Sequence, residues 1–145
     1  MLPEYNKVIA MKNTVEKPPI YVLAVDDEPL NQDIMGEYFE EAEINFYMIN
    51  NGPDALKILE EGKPVDVIVL DRMMPMMDGI EVLKRIKANN KYKEIPVIIQ
   101  TAAGASYQVT EGIKAGAFYY LIKPYSKEML ISLVNNAATL KRKSG

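Results

Sequence analysis

The stretch VDVIVLDRMMPMMDG, residues 65–79, contains the apolar run that decides the fold, because this run ends at the carboxylate of Asp71. Three other apolar runs, YVLAV, PVIIQ and FYYLI, also end at polar residues, namely Asp26 and Asp27, Thr101, and Lys123. Strands that are buried on both faces of a parallel sheet form continuous apolar runs, and such sheets bind ligands outside the carboxyl ends of their strands. We therefore expect four parallel strands that bring these polar side chains together at one edge of a sheet.

Composition limits the chemistry that the chain can perform. It has 145 residues, of which 48% are hydrophobic, and this is enough apolar material for one domain with one core. It has no cysteine and no histidine, so disulfides, thiol catalysis, histidine proton relays and ordinary zinc sites are excluded. Only oxygen atoms remain as metal ligands.

Charge and hydropathy argue against nucleic-acid and membrane partners. The net charge of −3 provides no basic field that would attract nucleic acid or an anionic membrane. No stretch reaches the roughly 18 apolar residues that a bilayer span requires, and the N-terminus lacks the layout of a signal peptide. We expect a cytoplasmic protein that binds neither nucleic acid nor membrane directly.

Three carboxylates at one sheet edge point to a particular reaction. Asp26, Asp27 and Asp71 would repel one another and raise each other's pKa unless a hard divalent cation and Lys123 neutralised them. Mg²⁺ is the cation that we expect. A carboxylate beside Mg²⁺, a lysine and a hydroxyl can attack phosphorus and form an aspartyl phosphate. The predicted site therefore accepts a phosphoryl group.

The apolar patterns predict five strands that alternate with five helices. The strands are predicted at residues 21–25, 46–49, 65–70, 97–100 and 119–122, and the fourth helix at residues 105–115. This alternation, with short connections, is typical of a doubly wound α/β fold with helices on both faces of a parallel sheet. Residues 1–19 contain charges and prolines and are predicted to be a tail or linker. The domain would cover residues 20–141, followed by a short tail at residues 142–145.

Local signals indicate where several helices begin. Pro29 suits the first turn of the first helix, and Asp78 followed by Glu81 resembles a capping box that opens the third. Ser126 is a plausible N-cap for the fifth helix. An apolar face of the first helix is predicted from residues that recur four positions apart: Leu30, Ile34, Tyr38 and Ala42.

Four motifs carry a resemblance to a known family: VDDEP after the first strand, DRMMPMMDG after the third, TA after the fourth and YLIKP at the fifth. They resemble the motifs of the receiver domain of two-component response regulators, and the intervals between them are close to that family's layout. The resemblance covers about residues 20–140. It implies a flavodoxin-like, chemotaxis-regulator-like sheet of five parallel strands in the order 2-1-3-4-5.

The resemblance also implies a function. Asp71 would be the phosphoacceptor of a two-component phosphorelay, and Mg²⁺ would be held by Asp26, Asp27, Asp71 and the backbone carbonyl of Met73. A histidine kinase or a histidine phosphotransfer protein would donate the phosphoryl group from a phosphohistidine. The domain would be a receiver of the group and not an enzyme.

The remaining site residues would bind the phosphoryl group and transmit the signal. Thr101, Ala102 and Lys123 would contact the group, and Thr101 and Tyr120 would move as the switch. The Lys123–Pro124 peptide bond would be cis, since proline makes this isomer accessible. The signal would leave through the face formed by the fourth helix, fifth strand and fifth helix, towards a downstream protein or a homodimer that forms on phosphorylation.

Two other functions remain open. A receiver-like protein interaction module that is never phosphorylated could keep the same residues. An aspartyl-nucleophile phosphatase would need a second acid two residues after Asp71, where this chain has Met73. A flavin-binding protein of similar topology is disfavoured, because VDDEPLN is acidic where a flavin phosphate would bind.

Three residues depart from the family pattern. Arg72 adds a positive charge next to the acceptor, and it could attract a partner or cover the loop with its aliphatic stem. Met73 and Ala103 have no polar group that could orient a hydrolytic water. We therefore hypothesise that the aspartyl phosphate is lost slowly.

Overall fold

The computed structural model describes residues 18–102 and 106–144, in which five strands alternate with five helices. In chain order the elements are β1 (Tyr21–Val25), α1 (Pro29–Glu41), β2 (Asn45–Ile49), α2 (Gly52–Glu60), β3 (Val67–Asp71), α3 (Gly79–Lys87), β4 (Val97–Thr101), α4 (Ser106–Lys114), β5 (Tyr119–Ile122) and α5 (Lys127–Ser144). None of the helices within the described ranges is both long and apolar enough to span a membrane.

The strands form one parallel sheet in the order β2-β1-β3-β4-β5, which confirms the predicted fold class and strand order. Adjacent strands are paired up to their carboxyl ends: Val25 pairs with Leu70, Asp71 with Gln100, and Thr101 with Ile122. The carboxyl ends of the four predicted strands therefore meet at one edge of the sheet, as the apolar runs indicated.

Strand β3 begins and ends later than predicted. Asp66 lies before the strand, where its backbone N–H donates to the Tyr21 carbonyl and its carboxylate accepts from the Tyr21 N–H at 2.9 Å. At the other end, Asp71 is itself paired within the sheet. The strand continues through Asp71 because β4 supplies a backbone partner, Gln100, beside it.

The core has two layers, one on each face of the sheet, because successive strand residues point to opposite sides. One layer packs against α2, α3 and α4 and contains Leu23, Ile68 and Ile99. The other packs against α1 and α5 and contains Val22, Val69 and Ile98. Strands buried on both faces explain why their sequences are continuously apolar.

The predicted apolar face of α1 is wrong at its N-terminal end. Leu30 is 70% exposed and Ile34 is also exposed, whereas the helix buries Met35, Gly36 and Phe39. Residues four positions apart advance by about 400° on a helix of 3.6 residues per turn, so a strict four-residue series drifts around the helix surface. The series starts at the exposed surface and packs against the core only at its last two residues, Tyr38 and Ala42.

Two predicted helix starts are confirmed by their capping hydrogen bonds. The Asp78 side chain accepts from the Glu81 N–H at 3.0 Å at the start of α3. Ser126 Oγ accepts from the Met129 N–H at 3.1 Å at the start of α5. These caps satisfy backbone donors that have no partner within the helix.

Candidate functional site

Three carboxylates gather at the carboxyl edge of the sheet. Asp26 directly follows β1, Asp27 is next to it, and Asp71 ends β3. One carboxylate oxygen from each lies within 4.8 Å of the others, and Asp26 and Asp71 are buried. The backbone N–H of Asp26 also donates to the Ile49 carbonyl at 3.0 Å, which ties this residue to the end of β2.

Lys123 places an ammonium group between two of these carboxylates. Its Nζ lies 3.3 Å from Asp26 Oδ2 and 3.5 Å from Asp71 Oδ2. The lysine follows β5, its backbone N–H donates to the Thr101 carbonyl at 2.7 Å, and its peptide bond to Pro124 is cis. A single positive charge therefore faces a cluster of three negative ones.

Charge crowding and burial perturb Asp71. Burial, followed by repulsion from Asp26, raises the pKa of this carboxyl to about 6, against opposing contributions from Lys123 and the Met73 N–H. The Met73 N–H donates to Asp71 Oδ1 at 3.4 Å. Asp71 is thus mostly ionised above pH 7, but its charge is only partly compensated by the protein's own groups.

The other predicted phosphoryl-binding residues lie around this cluster. Thr101 ends β4 and is buried, one position beyond the residue that pairs with Asp71, and Ala102 follows it at the surface. The Met73 side chain is 68% exposed and points no polar group at the site. Ala103 lies outside the described residues.

Tyr120 is buried in the layer that faces α4. Within the described part of the chain its hydroxyl makes no hydrogen bond. Its ring occupies the space beside Gly112, where a Cβ would stand only 2.6 Å from the ring. The glycine in α4 therefore makes room for the inward position of this side chain.

Arg72, whose role the sequence left open, connects the end of β3 to α4. Its side chain is mostly buried and forms an ion pair with Glu111. Burial lowers the pKa of Arg72, but the Glu111 carboxylate and the nearby Tyr120 hydroxyl raise it by more. The residue next to Asp71 is thereby linked to a helix of the predicted output face.

A hydrogen-bonded group of residues around the buried Gln100 was missed from the sequence. Gln100 is fully buried, its Nε2 donates to Asp26 Oδ2 at 2.9 Å, and its Oε1 accepts from the Tyr125 hydroxyl at 2.6 Å. Asn31 Nδ2 also donates to Asp26 Oδ2, at 2.7 Å. The available signal was an amide at the end of an otherwise apolar run, PVIIQ.

Comparison with known proteins identifies the family. Residues 22–135 match the response regulator receiver domain. The chain belongs to this family. It is also 30% identical over 122 residues to the two-component response regulator ORR3 of Oryza sativa subsp. indica, covering 84% of this chain and 93% of that protein.

Two further comparisons agree with this assignment. The receiver domain of the Francisella response regulator 1452 has a TM-score of 0.76 and 36% identity, with 83% of this chain and 97% of that chain covered. The probable transcriptional regulator ycf29 of Pyropia yezoensis is 33% identical over 115 residues, which cover 79% of this chain. The chain spans about half of ycf29, 51% of its length. The resemblance seen in the sequence motifs is therefore confirmed.

Proposed function

We propose that this receiver accepts a phosphoryl group on Asp71 from a phosphohistidine of a histidine kinase or histidine phosphotransfer protein, in a Mg²⁺-dependent reaction. The observation that carries the proposal is the buried Asp71 carboxylate, which lies beside two further carboxylates and 3.5 Å from Lys123. This arrangement combines a nucleophile with cationic stabilisation of a transferred phosphoryl group. The family assignment supports the same function.

Asp71 supplies the nucleophilic oxygen. One oxygen of its ionised carboxylate attacks phosphorus, an O–P bond forms and the P–N bond to the donor imidazole breaks. The electron pair of that bond stays on the imidazole nitrogen. Lys123 Nζ, already 3.5 Å from Asp71 Oδ2, is placed to offset negative charge on the transferred oxygens.

The residues present fit a hard divalent cation. Asp26, Asp27 and Asp71 offer carboxylate oxygens within 4.8 Å of one another, and the chain has no cysteine and no histidine. With the backbone carbonyl of Met73 these carboxylates would hold Mg²⁺. When bound, the cation would neutralise charge on the phosphoryl oxygens and on the acceptor.

Transmission would start from the groups around the bound phosphoryl. Thr101 and the backbone of Ala102 would contact it together with Lys123, and Thr101 and Tyr120 would shift. Arg72 and its ion pair with Glu111 provide a physical connection from the acceptor to α4. Exposed apolar side chains support docking of a downstream protein, or of a second copy, on the α4–β5–α5 face: Ile113, Tyr119, Ile122 and Met129.

Incubation with Mg²⁺ and acetyl phosphate is expected to add one phosphoryl mass to the chain. Asp71→Asn, which keeps the side-chain shape but not the nucleophile, should stay at its unmodified mass. Intact-protein mass spectrometry is the measurement, with a phosphorylated histidine phosphotransfer protein as a second donor. A folded parent chain that binds Mg²⁺ but gains no mass from either donor would favour the unphosphorylated interaction module. An adduct on Asp71→Asn as well would exclude Asp71 as the sole acceptor.

We also propose that the aspartyl phosphate, once formed, is long-lived. Met73 presents an exposed apolar side chain at the site, so it cannot orient an attacking water. Met73→Asn is therefore expected to shorten the half-life of the phosphorylated chain several-fold, as followed by the decay of the adduct mass. Met76→Asn is the matched control, because Met76 lies in the same loop and is 81% exposed. Equal half-lives for parent and Met73→Asn would refute the hypothesis.

The phosphatase alternative receives no support from the site. The position two residues beyond Asp71 holds Met73, which cannot protonate a leaving group. We therefore regard the chain as a phosphoryl acceptor and not as an enzyme with a separate substrate.

A further inference from the structure

Behind the carboxylate cluster, a buried hydrogen-bonded chain links Asp26 to the loop after β5. The Tyr125 hydroxyl donates to Gln100 Oε1 at 2.6 Å, and Gln100 Nε2 donates to Asp26 Oδ2 at 2.9 Å. Gln100 lies on β4 and faces the core layer that contains α1, where its Nε2 also approaches Met35 Sδ at 3.8 Å. None of these side chains except Asp26 belongs to the proposed phosphoryl site.

The two oxygens of Asp26 have different environments. Oδ2 accepts from Asn31 and Gln100 and lies 3.3 Å from Lys123 Nζ, so its capacity for hydrogen bonds is largely used. Oδ1 accepts from the Glu28 N–H at 2.9 Å. Oδ2 is therefore held by side chains, whereas Oδ1 keeps acceptor capacity for a ligand. Gln100 is the member of this set that approaches from inside the core.

The chemistry of the partners determines the orientation of the Gln100 amide. Asp26 can only accept, so the NH₂ group must face it, and the carbonyl oxygen then faces Tyr125, which must donate. Burial and the negative charge of Asp26 raise the pKa of Tyr125, which keeps this hydroxyl protonated and able to donate. All three groups are thus satisfied in one arrangement only.

A buried amide at this position has no advantage for packing alone. Removing an amide from water costs free energy unless it is hydrogen-bonded, and neighbouring buried positions of β4 hold valine and isoleucine. A satisfied polar network, by contrast, selects one geometry for its members. The presence of Gln100 is therefore explained by its hydrogen bond to Asp26 and not by the packing of the core.

We propose that Gln100, supported by Tyr125, is a positioning residue that holds the Asp26 carboxylate in one orientation and thereby sets the affinity of the site for Mg²⁺. This inference rests on the proposed function, because it assigns Asp26 to the metal site. Tyr125 follows Lys123 and Pro124 directly, so the same network ties the loop that carries the lysine to β4.

Mg²⁺ affinity measured without any phosphodonor tests the inference. Gln100→Met, which keeps the size of the side chain and removes both hydrogen bonds, is expected to weaken Mg²⁺ binding about 10-fold, as is common for residues that orient metal ligands. Tyr125→Phe should weaken it several-fold, and should have no additional effect in the Gln100→Met background. Isothermal titration calorimetry provides the dissociation constants. At saturating Mg²⁺, the rate of phosphorylation by acetyl phosphate should recover towards that of the parent.

The matched control is Ile98→Met. Ile98 is fully buried two positions earlier on the same face of β4, so this substitution perturbs the same core layer without touching the network. Equal Mg²⁺ affinities for parent, Gln100→Met and Tyr125→Phe would overturn the inference, as would an equal loss in Ile98→Met. If Gln100→Met does not fold, Tyr125→Phe still tests the inference, because it removes only one hydroxyl from the network. A parent chain that binds no Mg²⁺ would overturn the proposed metal site as well, so the two failures are distinguishable.

Discussion

Gly79→Ala is expected to lower the free energy of unfolding by about 3 kcal/mol, near the upper end of the usual cost of overpacking. A Cβ at this position would stand 2.4 Å from the Asp71 carbonyl oxygen and 2.9 Å from the Arg72 Cα. Both atoms belong to the backbone, so no side-chain rotation can relieve the contact. The start of α3 must therefore move away from the end of β3, which carries Asp71. Urea unfolding would measure the stability, and the rate of adduct formation would report the damage to the site.

Gly36→Ala is the control for this prediction. Its Cβ would lie 3.6 Å from the Phe46 ring, an ordinary packing distance, and the residue is inside α1. Replacing a helical glycine with alanine stabilises a protein by about 0.5–1 kcal/mol, because the unfolded chain loses less freedom on folding. Both substitutions add one methyl group, but they should change the free energy of unfolding in opposite directions. A neutral Gly79→Ala would show that α3 does not approach β3 so closely.

Asp71→Asn is expected to raise the free energy of unfolding by about 1–3 kcal/mol at pH 7.5 without Mg²⁺, since each unit of pKa shift corresponds to about 1.4 kcal/mol. Burial, followed by repulsion from Asp26, raises the pKa of Asp71 from 3.8 to about 6. The folded chain therefore holds an unfavourable charge at neutral pH, and the amide removes it. The ionised carboxylate of Asp71, the proposed phosphoacceptor, therefore lowers the stability of the folded chain.

The effect should depend on pH in a defined direction. Because the folded-state pKa is the higher one, the parent loses stability as pH rises from about 4 to about 6, and the deficit is complete above that range. The advantage of Asp71→Asn should therefore shrink when the pH falls from 7.5 to 5 and nearly vanish near pH 4. Urea unfolding of both chains across this range is the measurement. An advantage that grows on acidification would contradict the assigned shift.

Asp66→Asn is the matched control, because Asp66 lies just before the start of β3, whereas Asp71 ends this strand. Its carboxylate lies 3.6 Å from Lys141 Nζ and 3.5 Å from an Arg142 guanidinium nitrogen, and it also accepts from the Tyr21 N–H. Removing this compensated charge should lower stability by about 0.5–1 kcal/mol, a modest value because the cations are partly exposed. The two isosteric substitutions should thus act in opposite directions. If both substitutions changed the free energy of unfolding in the same direction, local charge would not determine the change in stability.

The strands and the ends of strands were predictable from sequence for a physical reason. A strand that is buried on both faces has to be apolar throughout, so a polar residue that ends the run is visible in the sequence. Asp26, Asp71, Thr101 and Lys123 were found in this way, and the structure places all four at one edge of the sheet. The wrong prediction for α1 had the opposite cause, because Leu30 and Ile34 are apolar but lie at an exposed surface.

Gln100 and Arg72 illustrate what local patterns do not contain. Whether a glutamine at the end of a strand faces water or the interior depends on which helix covers it, and here α1 covers it with Met35. Similarly, Arg72 pairs with Glu111, 39 positions away, because α4 packs beside the end of β3. Such contacts depend on the packing of distant elements and have no periodic signal in the sequence.

By itself, the sequence determined the alternation of strands and helices, the parallel sheet and the identity of the acidic residues and lysine at its edge, because burial imposes a readable apolar pattern on the central strands. The tertiary structure alone decided which carboxylate oxygens approach one another, how far burial and Asp26 raise the pKa of Asp71, and which side chains hold Asp26 from behind. These properties depend on distances of a few ångströms between residues far apart in the chain. Electrostatic and hydrogen-bond energies vary steeply over such distances, so only the packed fold determines them.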